Sequence, residues 1–230
     1  VTGWEWQRFA ERVKMGSLRM GYSMSPRQVE QFVRHGKELM EWNAAMNLTA
    51  ISDLEVLAEK QFLDVIPLAQ ILPMGWCVLD VGSGGGFPGV PLQILRPDLN
   101  IGLMDAVRKK TSFLKHLVRE LGLKGVWVKH ARLESLGEDD DEGAAHWDVV
   151  TAKAVGEPEV VFERCVPFVG RHGWVVMWIG KDFEGKEMWG ARAAQQGCLL
   201  RVHPYVLPFT GTERRLVVLE KDGREAKQKG

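Results

Sequence analysis

The sequence predicts an α/β protein: a mostly parallel sheet with one antiparallel strand near the C-terminus, behind an N-terminal helical subdomain. Three observations carry this prediction. From Trp76 onward, short apolar runs rich in β-forming residues alternate with helical stretches, the pattern of parallel strands joined by helical crossovers. Residues 1–74 contain no such run and read as helical. The last two strand-like runs follow one another without a helix between them, so one of them opposes the rest.

The elements follow in order. Between Ser25 and Asn43, Val29, Phe32, Val33, Leu39, Met40 and Trp42 recur near a helical period, with Ser25 as N-cap and Pro26 at the first helical position. Asp53 caps a further helix through Val56, Leu57 and Phe62 toward Ile66, with Pro67 near its end. Pro73 and Gly75 mark a break. Strands are expected at 76–81, 100–105, 125–129, 147–152, 174–179, 199–205 and 214–220, and helices at 90–95, 107–121, 157–168 and 184–195. The domain borders fall at 1–74, 75–221 and a polar tail, 222–230. The acidic run Glu138 to Glu142 reads as a solvated loop.

Composition narrows the class. Hydrophobic residues make up 45% and charged residues 26%, which excludes collagen-like and wholly disordered chains. No apolar run reaches the ~18 residues that a membrane span needs. Glu5, Arg8, Glu11 and Arg12 leave no room for a signal-peptide core, which points to the cytoplasm. Thirty basic residues balance thirty acidic ones, so the total charge implies no dominating tether to nucleic acid or membrane. Cys77, Cys165 and Cys198 are far apart in apolar surroundings. No pair has metal-ligand spacing, and buried thiols are the expectation.

The most informative stretch is Val78-Leu79-Asp80-Val81-Gly82-Ser83-Gly84-Gly85-Gly86-Phe87-Pro88-Gly89. A buried strand enters it and a helix leaves it. Glycines reach dihedrals closed to other residues and let a ligand approach the backbone. In an open α/β sheet this is the ligand crevice. Gly84, Gly86 and Gly89 formally match the dinucleotide fingerprint, but Pro88 stands where the pyrophosphate-binding helix should begin. Asp80, Gly82, Gly84 and Gly86 instead form D-x-G-x-G-x-G, which resembles the first motif of class I S-adenosylmethionine (SAM)-dependent methyltransferases, a Rossmann-like fold. Asp80 then suits a site that handles an ammonium and a sulfonium. Asp105 closes the next strand, 19 residues after Gly86. A carboxylate there accepts from both ribose hydroxyls of either NAD or SAM.

Further segments narrow the likeness. Trp42-Asn43-Ala44-Ala45-Met46-Asn47-Leu48-Thr49, Phe62-Leu63-Asp64, Val78 through Pro91, Met104-Asp105, Lys109-Lys110, Phe113-Leu114, Arg132-Leu133-Glu134, Gly211 and Glu213 through Val218 together resemble the GidB/RsmG family of 16S ribosomal RNA guanine-N7 methyltransferases. The likeness runs from about residue 28 to 221. It implies SAM as cofactor, held by the turn (Asp80, Gly82, Ser83, Gly84, Gly86, Phe87) and by Asp105 at the ribose, with Leu133 and Glu134 flanking the adenine. Lys153 would sit at the mouth shared by cofactor and substrate. Asn47 and Asp64 would fold over the site, and Lys109, Lys110, Lys181 and Arg214 would meet RNA. The implied partner is 16S rRNA, within the small ribosomal subunit, with no membrane and no obligate protein partner.

Three positions depart from the family pattern. Lys153 stands where the family has Arg, and loses the planar fork. Gln61 stands where it has His. Ile179-Gly180 stands where it has Lys-Gly, with Lys181 displaced by one. Between Arg108 and Arg132 the chain carries eight Lys and Arg residues and one acid, Glu120, a cationic face for RNA or a solvated helix face. Guanine N7 has its own lone pair, so no catalytic triad is expected and none is evident. His35, His116, His130, His146, His172 and His203 fall in no motif and read as scattered core or surface residues. Other classes remain open on the residues alone: a SAM enzyme with another acceptor, a non-catalytic RNA-binding assembly factor, and an NAD-dependent dehydrogenase.

Overall fold

The computed structural model describes residues 2–135, 147–154, 156–180 and 186–222. The chain opens with α1 (Gly3–Arg19), started by a Thr2–Glu5 capping box. Helix α2 (Pro26–Met46) starts where the sequence predicts: Ser25 and Gln28 form a capping box and Pro26 occupies the first turn. The same Gln28 side chain donates to the carbonyls of Ile94 and Leu95, so one residue fixes a helix start and its docking. Asn47, in the left-handed region at φ 52°, ends α2.

Asp53 caps α3 (Leu54–Leu57), accepting from the amides of Glu55 and Val56. The single helix expected from Asp53 to Ile66 is in fact broken. A π-helical turn (Ala58–Phe62) and a 3-10 turn (Leu63–Val65) precede α4 (Ile66–Ile71). Pro67 opens α4 rather than ending a helix: without an N–H it cannot continue the bond ladder from behind, but it is tolerated in a first turn.

Seven strands follow: β1 (Cys77–Val81), β2 (Asn100–Asp105), β3 (Val126–His130), β4 (Trp147–Ala152), β5 (Val169–Gly180), β6 (Cys198–Val206) and β7 (Glu213–Lys221). Their order in the sheet is β3-β2-β1-β4-β5-β7-β6. All pairs are parallel except those of β7, which runs antiparallel to both β5 and β6. The predicted single reversal is β7. The crossovers carry α5 (Gly89–Leu95), α6 (Arg108–Glu120), α7 (Pro158–Cys165) and α8 (Lys186–Gln195).

Alternation along the strands sorts side chains between two cores. Val78, Val149, Val176, Leu216 and Val218 face α1, α2, α4, α5 and α6. Leu79, Val81, Val150, Val175, Met177, Val217 and Leu219 face α7 and α8. The first core is continuous from Phe9, Phe32, Leu39 and Phe62 into the sheet, so the helical segment is built onto the sheet rather than beside it. Cys165 and Cys198 are buried and Cys77 half-buried, and burial raises the Cys165 thiol to about 12. Among the described residues, no helix is long and apolar enough to cross a membrane. The acidic run and most of the polar tail lie outside the described residues.

Candidate active site

The site begins where β1 ends. Gly82, Gly84 and Gly86 take φ of 69°, 54° and 92°, which side chains resist. The turn is stitched to the end of β2. The Ser83 amide donates to the Met104 carbonyl (2.9 Å), and the Met104 amide donates to Ser83 Oγ (3.2 Å). The Gly84 amide donates to Asp105 Oδ2 (3.0 Å). Asp105 Oδ1 accepts from the Val107 amide (2.8 Å), so one carboxylate aligns the loops after two neighbouring strands. Gly89 is the tightest point: a Cβ there would lie 2.3 Å from Leu103 Cδ2 and 2.9 Å from Asp80 Oδ2.

Above the ends of β1, β2 and β3, on the α7 side, lies a cleft of about 420 Å³. Val81, Gly82, Met104, Asp105, Leu133 and Val160 line it, and Arg132, Glu157 and Arg164 add charge. Apolar walls with one carboxylate at a strand end suit a nucleoside, with bases against Leu133 and Met104 and hydroxyls against Asp105. Glu134 belongs to the 3-10 turn Leu133–Ser135 beside it. Two other hollows, of about 470 and 730 Å³, have no strand-end carboxylate among their lining residues.

Of the residues expected at the site, Gly84, Gly86 and Lys153 do not line the cleft, and four others point elsewhere. Asp80 does not face the cleft. Strand alternation turns it to the opposite side, fully buried, where Oδ1 accepts from Thr151 Oγ1 (2.9 Å) and Oδ2 from the Gly89 amide (3.2 Å). Burial raises its carboxyl to about 7. Ser83 is buried in the turn's own bonding. The Phe87 ring packs inward, stacked on His35 at 4.7 Å and edge-on to Phe62 at 5.0 Å. Asp64 is fully buried and points into the protein.

His35 is the residue that sequence reasoning missed. Its Nε2 donates to the Gly85 carbonyl (2.8 Å), which bonds α2 to the glycine turn. Burial lowers it to about 4. A signal was present: His35 lies three residues after Phe32 and four before Leu39, on the apolar face of the helix.

Asp64 organises a second cluster at the ends of β4, β5 and β7. Its carboxylate accepts from Tyr205 Oη (2.6 Å) and pairs with Lys153 (3.0 Å) and Arg214 (3.4 Å). Its carbonyl accepts from Trp178 Nε1 (2.8 Å). Lys153 Nζ also donates to the Lys60 carbonyl (2.9 Å) and Gln61 Oε1 (3.2 Å). Two of the three family departures therefore touch each other, with the Gln61 amide oxygen accepting from the Lys153 ammonium. Burial lowers the Lys153 ammonium, and Asp64 opposes that shift. Burial and the Asp64 charge raise the Tyr205 hydroxyl.

Lys109 and Lys110 stand at the start of α6, exposed and half-buried respectively, with Arg108 before them and no acid in that first turn. Asn47 is exposed. Lys181 lies outside the described residues.

Sheet order, glycine turn and strand-end cleft define a class I methyltransferase fold. A SAM-dependent methyltransferase from Aquifex aeolicus aligns with a TM-score of 0.52 at 17% identity, over 72% of this chain and 92% of that one. Residues 28–217 match the GidB family model, described as rRNA small subunit methyltransferase G, and the chain belongs to that family. It is similar to Ribosomal RNA small subunit methyltransferase G of Roseiflexus sp. (40% identity, 87% of this chain and 86% of that protein). The protein of the same name from Desulforamulus reducens is 36% identical over 91% and 88%.

Proposed function

We propose that the protein transfers a methyl group from SAM to N7 of a guanine in 16S rRNA, within the small ribosomal subunit. The observation that carries this is the strand-end cleft of a family member, bounded by Gly82, Asp105 and Leu133. Gly82 and Asp105 would hold the amino-acid and ribose parts of SAM, and Leu133 with Met104 its adenine. Bound SAM supplies an electrophilic methyl group on a sulfonium.

The chain's own contribution is orientation. Guanine N7 needs no proton removed, and no histidine lines the cleft among the described residues. Holding acceptor and donor in line supplies up to roughly 7–11 kcal/mol of the barrier. Lys153 and Arg214, anchored on Asp64, put positive charge at the ends of β4 and β7, next to the loop leading to Gly156 in the cleft wall. Asp64 thus serves the substrate side as an anchor of cations rather than as a contact of its own. Lys109 and Lys110 reach RNA phosphate from the start of α6. Cations in a first turn oppose the helix dipole, and an anionic partner relieves that cost. Asn47 and Lys181 complete the substrate side.

The test is methyl transfer from labelled SAM to small subunits from cells lacking the protein, followed by cleavage at N7-methylguanine. The expected result is label at one guanine of 16S rRNA. Binding of SAM without label in the RNA refutes the rRNA assignment. Binding should also weaken steeply with salt, because each phosphate contact releases counterions.

A further inference from the structure

Helix α1 precedes the matched span of residues 28–217, yet it grips both segments that supply the Asp64 cluster. On one side, Arg12 donates to Glu55 Oε2 (3.0 Å) and to Glu59 Oε2 (3.4 Å). Glu59 lies in the π-helical turn that leads into Asp64. On the other side, the Arg12 guanidinium lies 4.0 Å from the Phe209 ring centre. Arg19 sits 4.8 Å from the same ring and donates to the Pro208 carbonyl (3.1 Å). Phe209 belongs to the turn between β6 and β7, and Arg214 follows in the second position of β7.

The two segments are also bonded to each other. Glu59, 1% exposed, accepts at Oε1 from the amides of Phe209 (2.8 Å) and Thr210 (2.9 Å). A buried carboxylate on two backbone amides fixes the turn, and the Arg12 guanidinium pairs with it. Packing adds a third restraint. A Cβ on Gly16 would lie 2.3 Å from Leu63 Cδ1 and 2.9 Å from Phe209 Cε2. Gly16 thus brings the helix backbone against the neighbour of Asp64 and against the hairpin ring at once.

We infer that α1 is a positioning element for the methyl-acceptor side of the site. Arg12, through Glu59 and Phe209, sets where Asp64 and Arg214 meet Lys153. The link from that cluster to catalysis rests on the function proposed above; the link from Arg12 to Asp64 does not. Arg12 touches neither the cleft nor the cluster, so it acts through others. Removing it shifts both segments by a fraction of an ångström while leaving Gly82, Asp105 and Leu133 in place.

The test uses the full chain with Arg12→Gln and Phe209→Leu, and Arg34→Gln as control, since Arg34 pairs with Glu120 away from this junction. The first readout needs no substrate. The Trp178 indole N–H donates to the Asp64 carbonyl, so its ¹H–¹⁵N signal, one of nine tryptophans and assigned with Trp178→Phe, reports the position of Asp64. Arg12→Gln and Phe209→Leu should move that signal and the control should not. The second readout is steady-state methylation: kcat should fall about 10- to 100-fold, with the SAM Kd within about twofold of the parent. An unmoved Trp178 signal in both variants overturns the relay. So does a SAM Kd that worsens in step with kcat, which marks α1 as a general prop of the fold. If the parent protein labels no rRNA, the proposed function fails, while the Trp178 signal still decides the relay.

Discussion

Two buried titratable groups grip the glycine turn at different residues, and their effects on stability run in opposite directions. His35 holds the Gly85 carbonyl, and Asp80 accepts from the Gly89 amide. His35 falls from 6.5 to about 4 on folding. Between those values the unfolded chain binds the extra proton, so the stability His35 contributes is full above 6.5 and is lost as pH falls toward 4. At ~1.4 kcal/mol per pKa unit, the total is about 3 kcal/mol. Asp80 rises from 3.8 to about 7. Here the folded chain binds the extra proton, so the contribution is full below 3.8 and is lost as pH rises through 7, in all about 4 kcal/mol. Over the shared window the two slopes cancel. Replacing one should expose the other. Urea unfolding from pH 4 to 7 should show His35→Gln gaining about 3 kcal/mol on the parent as pH falls. Asp80→Asn should gain about 4 kcal/mol on the parent as pH rises. The glutamine keeps an N–H for Gly85, so the difference profile isolates the proton. A flat difference for His35→Gln would refute a neutral, buried imidazole in the fold, and a flat difference for Asp80→Asn would refute the protonated carboxyl.

Three further outcomes follow from the geometry. Asp105→Ala removes the acceptor of the Gly84 and Val107 amides together with the proposed ribose anchor. At about 1.5–3 kcal/mol for a charged hydrogen bond, the SAM Kd measured by calorimetry should rise roughly 10- to 100-fold. Lys153→Met leaves Asp64 buried with Arg214 and Tyr205 as remaining partners, and urea unfolding should register a loss of about 3 kcal/mol; an unchanged midpoint would refute Lys153 as the compensating charge for Asp64. Gly89→Ala forces Leu103 or the Asp80 carboxylate to move, and thermal unfolding should show a loss of about 1–3 kcal/mol.

The sheet was legible in the sequence because strand alternation and apolar runs are local signals. The reversal at β7 could be read from the missing helix between the last two strands. Capping was legible too: Ser25 and Asp53 start helices where their side chains predict. The break after Leu57 was not, because Glu59 and Asp64 owe their positions to Phe209, Arg12, Lys153 and Arg214, distant in sequence. The glycine turn showed which segment borders the cleft but not which way its side chains face. Asp80 sits in the motif, yet strand alternation places it on the face opposite the cleft, where it pins Gly89 and Thr151. Phe87 follows the glycines, and the bulk of α2 draws its ring inward against His35. A motif marks the segment near a ligand; the side chains that touch the ligand follow from strand alternation and packing.

A reaction that needs orientation and no proton transfer puts its demands on rigidity, and the polar groups of this protein are distributed accordingly. The proposed cofactor side is fixed through the amides of the glycine turn: Ser83 to the Met104 carbonyl, Gly84 to the Asp105 carboxylate. The proposed acceptor side is fixed by side chains, with Asp64 joining a 3-10 turn to Lys153, Arg214 and Tyr205. Burying such charges adds little net stability, since desolvation offsets most of the attraction. Their directionality is what an apolar contact lacks. A leucine in place of Asp64 could fill the space, but it could not hold two cations at the ends of β4 and β7. On the proposed function, that junction gives the helical segment a reason to share the sheet's core: a hinge between them would let the proposed acceptor side drift relative to the cleft. A shift of about 1 Å costs roughly 100-fold in rate, more than the stability that a simpler interface would gain.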